Sequence, residues 1–314
     1  MRSCCALLTG VYLFFPLQAD AYAIPFSLGL ILLLGIPHGA SDHHMFYSLA
    51  DTYSAKASQH KKFFYFYYIG LMFLCGIVWF LFPVFSFVLF LLASAYHFGQ
   101  LNIHSPEWNS GKINLITSFI SGLFVLAVPL LAHASEAEPV VERLLHTELP
   151  IGTWQKQLST AAVFCGLLYG AYLLLLGITA KAPGHVLIRE SINWVLLFTL
   201  FYTSPLWIGF SVYFAIWHAL PSMRDQIAFF KQRDAAYSVK KYIRDIAPYS
   251  ILSFLALLAG SFFLTENTVE NGMTLLFAGI SILTLPHVLL MDWLYSGQQA
   301  SATEQGLGRL EVER

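Results

Sequence analysis

The sequence predicts an all-α protein, a polytopic membrane bundle of about ten transmembrane helices with no separate soluble domain. Apolar runs of about 20 residues, the length that spans a bilayer's hydrocarbon core, recur along the whole chain. Of the 314 residues, 57% are hydrophobic and 11% charged, and the mean hydropathy is +0.63. An ordinary soluble domain carries roughly 25% charged residues, because its surface must stay in water. Gly and Pro sit inside the apolar runs, which membrane helices tolerate better than soluble ones. A transmembrane β-barrel would need apolar/polar alternation over roughly ten residues at a time, and that pattern is absent.

The first segment, 3–19, follows Arg2 and leads into Ala19-Asp20-Ala21-Tyr22-Ala23, a small-residue stretch that resembles a signal-peptide cleavage site. Cleavage there would leave nine spans and an outer N-terminus. The second segment, 23–46, ends in a polar, histidine-rich stretch from Gly35 to His44. The third, 63–82, opens on the aromatic run Phe63 to Tyr68. Pro83 divides it from the fourth, 84–101, since proline disfavours helical geometry in the residue before it. The fifth and sixth cover 114–133 and 158–180. Ser204–Pro205 divides the seventh, 189–203, from the eighth, 205–222. The ninth and tenth, 247–265 and 272–294, leave 295–314 as a short tail of one domain covering 1–314. If either proline junction is a kink in a longer helix, the count falls.

Charge placement orients the bundle. Ten spans with both termini cytoplasmic put 15 of the 17 Lys and Arg residues inside and only Arg143 and Lys156 outside. That asymmetry is the positive-inside signature of a multi-pass protein in the inner or plasma membrane, with its C-terminus in the cytoplasm. The outer loops are acidic instead, with Glu136, Glu138, Glu142 and Glu148 in one and Glu266 and Glu270 in another. A net charge of −1 argues against a nucleic-acid partner. Cys4, Cys5, Cys75 and Cys165 lie in apolar stretches and form no CxxC pair, so they read as small buried residues rather than a disulfide framework or zinc site.

Ionisable groups inside the hydrocarbon are costly and therefore informative. His38, His97, His218 and His287 lie on the second, fourth, eighth and tenth spans, each beside Gly or Pro or in a short polar break. All four spans run from outside to inside, so the histidines fall at similar depth and can converge in the bundle core. Helical bundles build metal sites in that way, and neutral imidazole suits Fe, Zn or Cu. A single such histidine would more simply be an interfacial residue bonded to water. Asp42 follows His38 by one helical turn and is expected behind a metal-bound imidazole, orienting it. His43 is expected as a further member of the site or a hydrogen-bond partner, and His44 at the interface. Asp292, five residues after His287, is rotated off its face. His60, His104, His133, His146 and His185 read as solvated residues in loops or at span ends. Aromatic residues make up 16% of the chain, and most fit the interfacial belt of a membrane protein. Those beside the histidines (Tyr96, Phe98, Trp217 and Trp293) are expected to wall a pocket for a long apolar ligand.

The Pro37-His38-Gly39-Ala40-Ser41-Asp42-His43 stretch, with Tyr96-His97-Phe98 and Trp217-His218, resembles the Brp/Blh family of membrane enzymes associated with retinal production. The resemblance runs from the second span to the tenth. It implies a β-carotene 15,15′-dioxygenase, in which an Fe(2+) centre and O₂ cleave the central double bond to give two molecules of all-trans-retinal. It implies His38, His97 and His218 as iron ligands through which catalysis runs, β-carotene and O₂ as substrates, the lipid bilayer as their solvent, and a retinal-binding rhodopsin as product acceptor. The pattern departs at Ser222, where the family carries a further histidine one turn after the Trp-His pair. Either His287 completes the metal set or this branch has diverged toward another carotenoid or apolar substrate. Among other membrane oxidases, a di-iron hydroxylase would need more histidine clusters than the one at His38, His43 and His44. A haem protein would use paired histidines. A transporter or carotenoid-binding protein would use its histidines without oxygen uptake, and no inverted repeat between the halves supports a transporter.

Overall fold

The computed structural model describes residues 16–53, 61–103, 111–179, 182–262 and 269–312. The described residues contain helices and connecting turns and no strand. The first predicted segment, 3–19, falls almost wholly outside them. Nine stretches among the described residues are long and apolar enough to cross a membrane, which makes the chain a polytopic helical bundle.

In chain order, α1 (Pro16–Leu30) passes through a π-helical turn, Ile31–Gly35, into the short α2 (Ile36–Gly39), and α3 (Asp42–Tyr53) follows. Then come α4 (Phe64–Leu81), α5 (Pro83–Ile103), α6 (Gly111–Ala132), α7 (Ala134–Leu145), α8 (Gln155–Ile178) and α9 (Gly184–Thr203). A second π turn, Tyr213–Ala219, joins α10 (Leu206–Val212) to α11 (Leu220–Lys231), and α12 (Val239–Ser261) and α13 (Val269–Val312) complete the chain. Both proline junctions are true breaks. Phe82 leaves helical geometry at φ −138°, ψ 64°, and Ser204 is extended before Pro205. Helix α13 continues to Val312, through the segment expected as a tail.

The outward faces show what covers the bundle. On α4, Phe66, Phe73 and Phe80 recur every seven residues and are 75%, 72% and 82% exposed. No soluble surface presents a stripe of that kind, whereas lipid tails solvate it. Inside, helices approach closely wherever small residues allow. A Cβ built on Gly99 of α5 would collide with the Ser118 carbonyl of α6, and one on Gly122 of α6 with the Ala95 carbonyl of α5. These reciprocal contacts lock α5, which carries His97, onto α6.

Two apolar clusters form the core. The larger holds Ile31, Ala95, Val128, Leu200, Phe201, Val212 and Tyr213. The smaller holds Met45, Leu49, Phe229, Tyr242, Met291 and Leu294. The four intramembrane histidines lie between them along α2, α5, α11's preceding π turn and α13. One element was not expected. The acidic segment after α6 is the helix α7, which buries Ala134, Ala137 and Val140.

Because the Gly99 contact is with backbone, which cannot move aside as a side chain can, Gly99→Leu should lower the apparent unfolding temperature in detergent, with a cost of about 1–3 kcal/mol or more. Gly70→Leu, at a position with nothing within 4 Å, should leave it unchanged.

Candidate metal centre

Two of the four histidines owe their placement to proline. Pro37 and Pro221 have no N–H, and their rings crowd the carbonyl four residues back. In each case the residue before the proline reaches one residue further: Ile36 N–H donates to the Ile31 carbonyl and Leu220 N–H to the Ala215 carbonyl. The resulting π turns are of the sort often found at functional sites. Gly35 lies in the first, and any Cβ there would collide with the ring of Phe214 in the second. The two turns therefore pack directly on each other, bringing His38 and His218 together. His97 arrives on α5 and His287 on α13, one residue after Pro286.

The four imidazoles close a ring. Centroid distances around it are 5.1 Å from His38 to His218, 4.8 Å from His218 to His97, 5.0 Å from His97 to His287 and 5.0 Å from His287 to His38. Each ring stands nearly perpendicular to both neighbours, at 77° to 88°. One nitrogen each from His38, His97 and His218 lie within 4.8 Å of one another. All four residues are buried.

Hydrogen bonding leaves this ring unsatisfied. His38 Nδ1 bonds the Gly35 carbonyl and His287 Nδ1 lies 2.8 Å from Asp42 Oδ1. With Nδ1 donating in both, Nε2 is left as the lone-pair nitrogen. His38 Nε2, His287 Nε2 and both ring nitrogens of His97 and of His218 are buried without a hydrogen-bond partner. Each such atom costs about 1–3 kcal/mol unless something accepts its lone pair. A cation among the four rings would take one lone pair from each, four of the six nitrogens, and an all-imidazole donor set suits a first-row transition metal. The residues present fit such an ion.

Asp42 does not pair with His38, as its spacing had suggested. The helix breaks between α2 and α3, where Ala40 N–H turns back to the Pro37 carbonyl, and the one-turn relation is lost. Asp42 instead accepts from His287 Nδ1 through Oδ1 and from the Tyr68 hydroxyl through Oδ2 at 2.6 Å. His43 points away from the ring, 3.9 Å from the Tyr249 centroid and 4.2 Å from His44, so it is neither a member nor a hydrogen-bond partner of the four. Ser222 is fully buried behind His38 in a polar knot centred on Gln226. Gln226 donates to the His38 carbonyl at 3.2 Å and to Ser222 Oγ at 3.4 Å. It accepts from Ser41 at 2.7 Å and from Tyr242 at 2.5 Å. His133, expected as a solvated residue, bonds the Phe201 carbonyl at 2.9 Å and faces Glu136 at 3.1 Å.

An apolar cavity of about 170 Å³, partly open, leads from the ring toward α7. Of the four aromatics expected in its wall, only Phe98 lines it, with its ring 4.7 Å from His218. Tyr96 turns aside to donate to Asp292 at 2.5 Å, Trp217 packs into the larger core cluster, and Trp293 packs on Phe46. The actual walls follow from helix periodicity. Ser94, Phe90 and Phe87 precede His97 by three, seven and ten residues, and Thr284, Ile280 and Phe277 precede His287 by the same offsets. Phe214, Phe210 and Trp207 precede His218 by four, eight and eleven, one more in each case, because the π turn contributes an extra residue. Those offsets from each histidine were the signal in the sequence; adjacency was not.

Comparison with known proteins agrees in direction. The family profile described as beta-carotene 15,15′-dioxygenase matches residues 29–295. A protein from uncultured marine bacterium 66A03, named beta-carotene 15,15′-dioxygenase, is 26% identical over 275 residues, covering 86% of this chain and 93% of that protein. No solved structure matches.

Proposed function

The chain belongs to the beta-carotene 15,15′-dioxygenase family, and we propose that it is a membrane-embedded, non-haem iron oxygenase that cleaves β-carotene at its central double bond into two molecules of all-trans-retinal. The observation that carries this is the ring of four buried imidazoles with unpaired nitrogens at the inner end of an apolar cavity. His38, His97, His218 and His287 hold the iron. Bound Fe(2+) would supply the binding and activation of O₂ that a spin-paired polyene requires. The stoichiometry needs nothing further: one C=C bond breaks, each of its carbons takes one oxygen atom of O₂, and no external electron donor is consumed.

The remaining work belongs to the protein's own residues. Asp42 holds the proton on His287 Nδ1 and so presents Nε2 as the donor, while the Tyr68 hydroxyl fixes the carboxylate from the other side. Gln226 ties down the His38 carbonyl, which the break after α2 would otherwise leave without its helical partner. Phe98 and Phe214 pack edge-on and face-on against His218 and keep water from the ring. Phe87, Phe90, Phe210 and Phe277 offer the polyene apolar walls. β-Carotene is wholly apolar and dissolves in the bilayer, so an enzyme embedded there receives it without a transfer through water. The placement of 15 of the 17 basic residues on one side supports a cytoplasmic C-terminus.

Expression in cells that accumulate β-carotene should bleach them and yield retinal, and His38→Ala, His97→Ala, His218→Ala and His287→Ala should each abolish both effects. Folded, iron-loaded protein that leaves β-carotene intact would exclude this substrate in favour of another carotenoid, the outcome that the serine at position 222 makes worth testing. Asp42→Asn should weaken iron retention about 10–100-fold against a chelator while leaving the helical content unchanged.

A further inference from the structure

A polyene has no polar group by which a site can hold it in register, and its conjugated double bonds are chemically alike. Apolar walls alone let it slide by one bond at little cost, since a hydrophobic pocket discriminates weakly between neighbouring methylene-sized steps. A stop at one end is then the physical means of choosing which double bond meets the histidines. We propose that α7 is that stop: a rigid floor across the outer end of the cavity whose distance from the histidine ring sets the position of cleavage. The proposal rests on the carotenoid-cleaving function given above.

Three features of α7 support it. First, Ala137, Val140, Val141 and Leu144 recur at three- and four-residue spacing on one face, and all four line the cavity that reaches the histidines. Second, the cavity wall has a definite length along its helices. From Phe87 to His97 and from Phe277 to His287 is ten residues of helix, or about 15 Å of cavity wall at 1.5 Å per residue. Third, α7 is held at several points by its own carboxylates, each accepting from a backbone N–H, one at the start of α10 and two in the connection that follows α7. Glu136 takes Leu206 at 3.0 Å, Glu138 takes Gly152 at 2.7 Å and Glu142 takes Leu149 at 2.6 Å. His133, at its start, holds the Phe201 carbonyl at the end of α9. An outer loop loosely draped over the bundle would have no need of these attachments; a fixed end wall does.

The test is to move the floor and read the products. Leu144 and Val141 are only partly buried, so substitutions there perturb packing less than at Ala137 or Val140. Wild-type protein, Leu144→Ala and Val141→Phe are purified in detergent, their iron content is matched, and the aldehydes formed from β-carotene are separated by length. Leu144→Ala, which deepens the cavity, should release pairs of aldehydes of unequal length beside retinal. Val141→Phe, which shortens it, should cut retinal formation about tenfold or more. If Val141→Phe does not accumulate, Leu144→Ala decides alone. Retinal as the only product, at the wild-type rate, in every variant obtained would overturn the floor while leaving the proposed function standing. A wild-type protein that forms no aldehyde from β-carotene would overturn the proposed function itself.

Discussion

Four imidazoles buried together in a membrane protein, with six ring nitrogens unpaired, are a thermodynamic liability that the rest of the structure is arranged to sustain. In the hydrocarbon core no water is at hand to satisfy a lone pair. A shared cation would ease the conflict, since one lone-pair nitrogen from each ring would then face it. The same low polarity that makes the unfilled ring costly makes the neighbouring cavity hospitable to an apolar substrate. The proposed metal and substrate sites are in this sense consequences of one environment.

The backbone features follow from that requirement. Two prolines, each at the base of a π turn, and one glycine between those turns let α2 and the segment before α11 come together closely enough for His38 and His218 to meet. Reciprocal glycines pin α5 to α6 and so hold His97. Hydrogen bonds then fix what packing cannot. Asp42 sets the tautomer of His287, and Gln226 repairs the helix break beside His38. Ser222 is occupied in that repair, which gives the position a structural use where the family pattern has histidine.

Much of this was legible in the sequence, and the parts that were not share a reason. Long apolar runs specify spans, because the bilayer imposes their length on any chain. Intramembrane histidines stand out against apolar neighbours, and equal depth follows from direction, so the four that the structure brings together could be named in advance. Rotation about the helix axis could not. Asp42 was assigned to the face of His38 on the assumption of an unbroken helix, and the break at Ala40 redirected it to His287. Tyr96 and Trp217 adjoin histidines in sequence but are turned about 100° from them on a helix, and Trp293, six residues past His287, packs on Phe46, whereas Phe210 and Phe214 lie on the histidine's own face. The amphipathic α7 was hidden by its three glutamates and arginine, which read as loop because the carboxylates serve as anchors rather than as a solvated surface.

The most direct measurement of the central claim is X-ray absorption at the iron edge of purified protein, with metal counted on the same sample. One iron per chain, with the multiple-scattering pattern of four imidazole ligands that falls to three in His287→Ala, is the result this structure predicts. Two irons per chain, a first shell dominated by carboxylate oxygen, or an unchanged pattern in His287→Ala would contradict it.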